Sequence, residues 1–330
     1  FGMAGAVQVC EERIASTGGR RGSVLASRAT TGLAAALGAL RLEQGSGVLM
    51  PVMVCANVVY AVRGAGLRPV FVDVEPQKGG IGVSLEAARR CAEKDGGCRA
   101  LLAIPLFGGE VDREGLLGLA SEAELMVVED AAQVGLVRGG GHSKGIGVCS
   151  VVSFGAGKVG AAGAGGAVLS DDLDLLARVR SLLGNTPTFE QKMAEIAPAV
   201  MGALDGLKDE VEGRLRRASD YRSRLRQDGV THVGEVLPVW KYSVLLRDRV
   251  QRDHVTRQLL EKGIAATNLC PPLVRWFAGV DGETYDGAKA LHERIVNLPL
   301  WDEGSTHSTG SAEGVFEQIL DINKMKEEKR

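Results

Sequence analysis

Seven short apolar runs divide the first half of the chain, and segments with helical spacing lie between them. The runs are GSVLAS (22–27), VLMPVMV (48–54), PVFVDV (69–74), ALLAIPL (100–106), LMVVED (125–130), SVVSF (150–154) and GAVLS (166–170). Runs that lack polar alternation suit strands buried on both faces, with helices covering each side. Strand alternating with helix predicts a mostly parallel, doubly wound sheet. The expected fold class is therefore α/β, with a mostly parallel seven-stranded sheet covered by helices. The last two runs are joined by a Gly- and Ala-rich link without helical pattern, which allows one strand to run antiparallel. Val7, Cys10 and Ile14 predict a helix over 5–16, ahead of the first strand.

The second half reads differently. A charged helical region covers about 188–227 and includes KDEVEGRLRRASDYRSRLR, whose acids and bases interleave as on a solvated amphipathic face. After Gly229, VWKYSVLLR suggests a strand, 250–262 a helix stopped by Gly263, and 285–296 another helix, with SAEGVFEQILDI near the end. This predicts a large domain over 1–205 and a small α+β C-terminal domain over 206–330.

Bulk properties exclude several classes. A net charge of −2 over 330 residues gives no field that would hold nucleic acid or an anionic membrane. No apolar run approaches the roughly 20 residues needed to cross a bilayer. The stretch FGMAGAVQVCEERIA lacks the basic segment and long apolar core of a signal peptide. The six cysteines (Cys10, Cys55, Cys91, Cys98, Cys149 and Cys270) form no CxxC pair. They read as reduced thiols of a cytoplasmic protein, without a disulfide frame or a metal site.

The chemistry concentrates between 125 and 170. Lys158 sits in a bed of Gly and Ala, whereas a surface lysine ordinarily lies among other polar groups. The alternative is an amine held out of water, where it reaches a carbonyl carbon and forms a Schiff base. Asp130 ends an apolar run, on the side where open α/β sheets bind ligands. It is either a local cap or ion-pair partner, or the carboxylate that a pyridinium cofactor requires. Glu129 should face the other side of its strand. The turn before Thr30 and Thr31 opens a helix, which suits a phosphate or a plain N-cap. GAGKVG (155–160) also fits GxGxxG, but a dinucleotide site needs a helix after its last Gly and an acid about 20 residues on. Here another strand follows, and Asp171 arrives too soon.

EDAAQ (129–133), followed by Ser153-Phe154, Lys158 and GAGG (163–166), resembles the DegT family of pyridoxal-phosphate-dependent sugar aminotransferases, of fold type I. The resemblance runs over about residues 4–320. It implies pyridoxal 5'-phosphate as cofactor, a Schiff base on Lys158, and Asp130 at the ring nitrogen. It implies that Ala29, Thr30, Thr31 and Ser153 meet the phosphate, that Gln133 lies beside the ring, and that Cys55 belongs to the cofactor-binding segment after the second strand. It also implies a homodimer, an amino donor such as glutamate and a keto substrate, a keto sugar attached to a nucleotide. Related dehydratases carry histidine in place of the lysine, so Lys158 argues against that branch.

Four places depart from the family pattern. Pro51-Val52-Met53-Val54-Cys55 has no aromatic to stack on the ring, a loss of roughly 0.5–1.5 kcal/mol. Glu190-Gln191-Lys192-Met193 stands where the family has Asn-Tyr-Arg-Met, leaving Lys192 or Asn185 to replace the phosphate-binding Asn. Leu269 and Val274 stand where histidines are expected, and Ala164 replaces a glutamate. Arg28 beside Ala29 is unusual, either a further phosphate cation or an exposed side chain. Two other readings stay open: a lyase, decarboxylase or synthase on the same fold, and a catalytically weak partner subunit.

Overall fold

The computed structural model describes residues 3–136, 145–184, 188–225, 229–268 and 284–300. In chain order the elements are α1 (Met3–Thr17), β1 (Gly22–Ala26), α2 (Ala29–Ala39), β2 (Gly47–Pro51), α3 (Ala56–Gly64), β3 (Arg68–Val72), β4 (Val74–Gln77) and β5 (Gly80–Val83). Then follow α4 (Leu85–Lys94), β6 (Cys98–Ala103), α5 (Arg113–Glu122), β7 (Met126–Asp130), β8 (Cys149–Ser153), β9 (Gly166–Ser170) and α6 (Leu173–Leu183). The remainder is α7 (Phe189–Asp205), α8 (Leu207–Arg224), β10 (Thr231–His232), β11 (Lys241–Leu245), α9 (Arg249–Glu261), α10 (Asp286–Arg294) and β12 (Ile295–Pro299).

The seven apolar runs supply the seven strands of one sheet, in the order β1-β9-β8-β7-β6-β2-β3. The four pairings from β8 through β7, β6 and β2 to β3 are parallel. Strand β9 is antiparallel to both neighbours, β8 and β1. Six strands therefore point one way and present their C-terminal ends along a single edge. Strands β2 and β9 are buried at every residue, as their continuous apolar character requires under two layers of helix. Helices α4, α5, α6 and α9 begin at Ser84, Asp112, Asp172 and Asp248, whose side chains accept the third residue's N–H. Those caps satisfy donors that the first turn cannot satisfy itself.

Three details differ from the sequence pattern. The charged region over 188–227 is two helices that meet at Gly206, the C-cap of α7 and N-cap of α8. The hairpin β4–β5 carries Glu75, Pro76 and Gln77, too polar to read as a strand. The helix expected over 285–296 stops at Arg294, because Ile295–Pro299 pairs with β11 over five residues. The segment SAEGVFEQILDI lies outside the described residues.

One hydrophobic cluster joins the sheet to its covering helices and continues into Leu207, Val211, Val239, Trp240, Ala288 and Leu291. A second, smaller cluster lies between α8, α9 and the small sheet β10-β11-β12, around Tyr221 and Tyr242. Among the described residues, no helix is long and apolar enough to cross a membrane. Cys10, Cys55, Cys91, Cys98 and Cys149 carry free thiols, and Cys270 lies outside the described residues.

Candidate active site

The C-terminal strand edge opens on a cavity of about 360 Å³, a size typical of small-molecule sites. Asp130 ends β7, Ser153 ends β8, and Lys158 follows β8 in the loop to β9; all three line this cavity. Helix α2 brings Ala29 and Thr30 to the wall, the N-cap of α3 brings Cys55, and the turn after β7 brings Gln133. Thr31 alone of the expected residues is not on the wall; its hydroxyl lies 3.4 Å from that of Ser27. Parallel strands leave helix N-termini at this edge, so free N–H groups and carboxylates meet there.

Asp130 is 7% exposed, and its Oδ1 accepts the Ala132 N–H at 3.0 Å. Burial pushes its carboxyl above the usual range; the Ala132 N–H and the Lys158 charge pull it back, and Glu129 adds to the rise. A buried acid short of positive charge is suited to hold a protonated ring nitrogen. Glu129 points away from the cavity, toward Ser150 and Gly145, and is itself fully buried.

The loop carrying Lys158 is fastened from several sides. Gly157 has φ +74°, a left-handed turn that a side chain would strain, and the Lys158 N–H returns to the Gly155 carbonyl at 3.2 Å. A Cβ on Gly166 would stand 2.5 Å from the Ala29 nitrogen, so the glycine run lets this strand meet the start of α2. Ser153 Oγ accepts the Gly155 N–H at 3.3 Å, which leaves its own proton for a ligand.

From α8, the Arg214 guanidinium donates to the Lys158 carbonyl at 3.2 Å and to the Val239 carbonyl at 3.3 Å. It also pairs with Glu210 at 2.6 Å, and the second Glu210 oxygen accepts the Gly160 N–H at 3.0 Å. Trp240 Nε1 donates to the Gly157 carbonyl at 2.9 Å. The Lys158 Nζ stands over the Trp240 ring, 4.1 Å from its centroid, a cation–π distance. Sequence reasoning missed Arg214, Glu210 and Trp240. A signal existed for Arg214: it falls in register with the buried residues Leu207, Val211, Ala218 and Tyr221 of α8.

Gln133 Oε1 accepts the Phe107 N–H at 2.6 Å, so its Nε2 protons are what remain to give. Where an aromatic stack would stand, the wall offers Val54, Cys55 and Val58, and Ala164 lines it as well. Glu190, at the start of α7, acts electrostatically on Glu11 and does not line the cavity. Asn185, Leu269 and Val274 lie outside the described residues. Among the described residues, no cluster of His, Cys, Asp or Glu is arranged to hold a metal.

These residues fit pyridoxal 5'-phosphate. The buried Asp130 could face a ring nitrogen, Lys158 lines the same cavity, and the glycines leave room beside a helix N-terminus whose hydroxyls and N–H groups suit a phosphate. Such a site on a helix-covered sheet with one reversed strand defines a fold type I pyridoxal-phosphate enzyme. The model of the DegT/DnrJ/EryC1/StrS aminotransferase family matches residues 3–317, and the chain belongs to that family.

Its cofactor is pyridoxal 5'-phosphate, and it is a transferase of amino groups. The chain is 28% identical to a GDP-perosamine synthase of Caulobacter vibrioides, over 80% of this chain and 76% of that protein. It is 29% identical to a UDP-N-acetyl-3-dehydro-alpha-D-glucosamine 3-aminotransferase of Acidithiobacillus ferrooxidans, over 89% of this chain and 83% of the other. The structure of DesI, solved in the presence of its TDP-sugar product, superposes with TM-score 0.77 at 26% identity, covering 96% of this chain and 84% of that one.

Proposed function

We propose that the protein moves an amino group from a donor such as glutamate to a keto group on a nucleotide-linked sugar. The observation that carries this reading is the meeting of Lys158 and Asp130 in one cavity whose other wall is the start of α2. Relatives named for GDP- and UDP-linked sugars support the acceptor class.

When bound, pyridoxal 5'-phosphate supplies a carbonyl that condenses with amines and a ring that draws electrons from the donor's Cα. Asp130 would hold the ring nitrogen and favour its protonated form, strengthening that withdrawal. Lys158 would hold the group through Nζ, and the same nitrogen, when free, would take the donor's Cα proton and return it as general base and acid. Thr30, the N–H groups opening α2 and Ser153 would hold the phosphate, and Gln133 would donate to the ring's oxygen through Nε2. Cys55 and Val54 would close the ring's face with aliphatic and thiol contact. Thr31, one position around the helix, supports this end through its backbone N–H. The family resemblance supports a cytoplasmic homodimer.

The test is the visible absorption of protein loaded with pyridoxal 5'-phosphate, before and after glutamate, with Lys158→Ala alongside. The expected result is a yellow band that glutamate bleaches with release of 2-oxoglutarate, and no such band in the variant. A band indifferent to glutamate and to other amino donors would overturn the transamination reading.

A further inference from the structure

The cavity wall at the start of α2 carries a cation that none of the steps above employs. Arg28 immediately precedes the helix, is exposed, and lines the same cavity as Thr30, Ser153 and Lys158. Its backbone is fixed: it bridges Gly165 of the glycine run, and its carbonyl accepts the Gly32 N–H at 3.0 Å. Its side chain makes no capping hydrogen bond, and no ion pair or hydrogen bond engages its guanidinium among the described residues. A planar fork of five donors thus stands on a rigid base beside a ligand cavity.

Charge in the cavity gives a second, independent indication. Among the described residues, the charged ones lining it are Arg28, Lys158 and Asp130. Lys158 and Asp130 act on each other electrostatically, which leaves Arg28 as the unbalanced charge among the described residues of the lining. It also stands at the end where α2 offers its first N–H groups and Thr30 its hydroxyl. N–H groups, a hydroxyl and an uncommitted guanidinium together match a phosphate oxyanion.

We propose that Arg28 binds the phosphate of the cofactor, from the same chain whose Lys158 anchors it. The proposal rests on the functional reading above. It assigns Arg28 to a phosphate monoester rather than to the diphosphate of a nucleotide-linked acceptor, because Arg28 is tied to the α2 start and to the Lys158 loop through Gly165.

The experiment titrates wild type, Arg28→Ala and Arg28→Lys with pyridoxal 5'-phosphate and, separately, with pyridoxal, which has no phosphate; the yellow band reports binding and circular dichroism confirms folding. Arg28→Ala is expected to bind pyridoxal 5'-phosphate about 10- to 100-fold more weakly, to bind pyridoxal as wild type does, and to be partly restored in Arg28→Lys. Inorganic phosphate is expected to displace pyridoxal 5'-phosphate from wild type. Equal affinity for pyridoxal 5'-phosphate in wild type and Arg28→Ala overturns the proposal. So does an equal loss for pyridoxal, or an unchanged cofactor affinity with a raised KM for the nucleotide-linked acceptor. Those outcomes leave the aminotransferase reading standing, whereas a wild type that forms no Lys158-dependent band overturns both.

Discussion

A carboxylate removed from water is stable only beside something that favours its charge. Asp130 has the Ala132 N–H and the Lys158 amine for that purpose, and burial still outweighs them, holding its carboxyl above the ordinary value of 3.8. The sign of the linkage follows. An acid whose folded value is raised favours folding fully below its ordinary value and loses that contribution as pH rises through the folded value. Asp130→Asn keeps the acceptor for the Ala132 N–H and removes this dependence. Without cofactor, the variant is therefore expected to be at least as stable as wild type at neutral pH. Its advantage should grow as pH rises above 3.8 and then level off, as thermal melts across pH would show. The loaded variant is expected to lose about 10²–10³ in the rate of the glutamate half-reaction, the scale of one removed electrostatic contact to a developing charge. A variant less stable than wild type at neutral pH would contradict this account of Asp130. Asp130 at the end of its apolar run and Lys158 among Gly and Ala could be picked out in the sequence, and both line the cavity. The orientation of Gln133 could not, because its partner Phe107 lies far away in sequence and donates through its backbone.

Helix α8 shows what pattern alone leaves out at the scale of an element. Its sequence is dense in both charges, and a solvated face accounts for most of them. Arg214 is different, with a side chain 5% exposed against 32% for its partner Glu210. Burial lowers the basicity of its guanidinium, opposed by the Glu210 charge and hydrogen bond. Its fork spans two carbonyls, one of them Lys158, which gives the helix a hold on the Lys158 loop. Arg214→Met is expected to lower stability by about 1–3 kcal/mol, measured by urea unfolding, and to slow formation of the yellow band because the loop loses its tie to α8 through the Lys158 carbonyl. Arg214→Lys keeps the charge but not the planar fork, and is expected to restore little. Full recovery of both properties in Arg214→Lys would show that charge alone matters. Helical register could have revealed Arg214, since it lies on the apolar stripe of α8. Trp240 could not have been assigned to the lysine, because only the turn of Phe107 and Gly108 against Val239 and Lys241 brings it there.

At the scale of the molecule, the question is what joins the sheet-bearing part to the C-terminal part. We propose that the lobes divide near Gly206, as 1–205 and 206–330, yet unfold together. The seven apolar runs gave away the sheet because its strands are buried on both faces. The small sheet was only partly legible, since β12 continues directly from a helix and its pairing with β11 is long-range. The junction was not legible at all. Asp73, between β3 and β4, accepts the Gly287 N–H at 2.9 Å and the Ala288 N–H at 2.8 Å, and so caps α10 from the other lobe. The helix's own N-cap, Tyr285, makes no side-chain cap, and Gly287 lies so close to the Val74 carbonyl that a Cβ would collide with it. Leu291 and Ala288 of the same helix join the main hydrophobic cluster together with Val211, Val239 and Trp240. A core that continues across Gly206 transmits the loss of a contact on either side to the whole. Asp73→Ala is therefore expected to lower stability by about 0.5–2 kcal/mol, the range for a lost helix cap, as a shift of one cooperative urea transition. Far-UV circular dichroism and tryptophan fluorescence should remain coincident in wild type and variant. Two separated transitions in wild type would show that the lobes fold independently. A second transition only in Asp73→Ala would show that this single carboxylate, rather than the shared core, couples them.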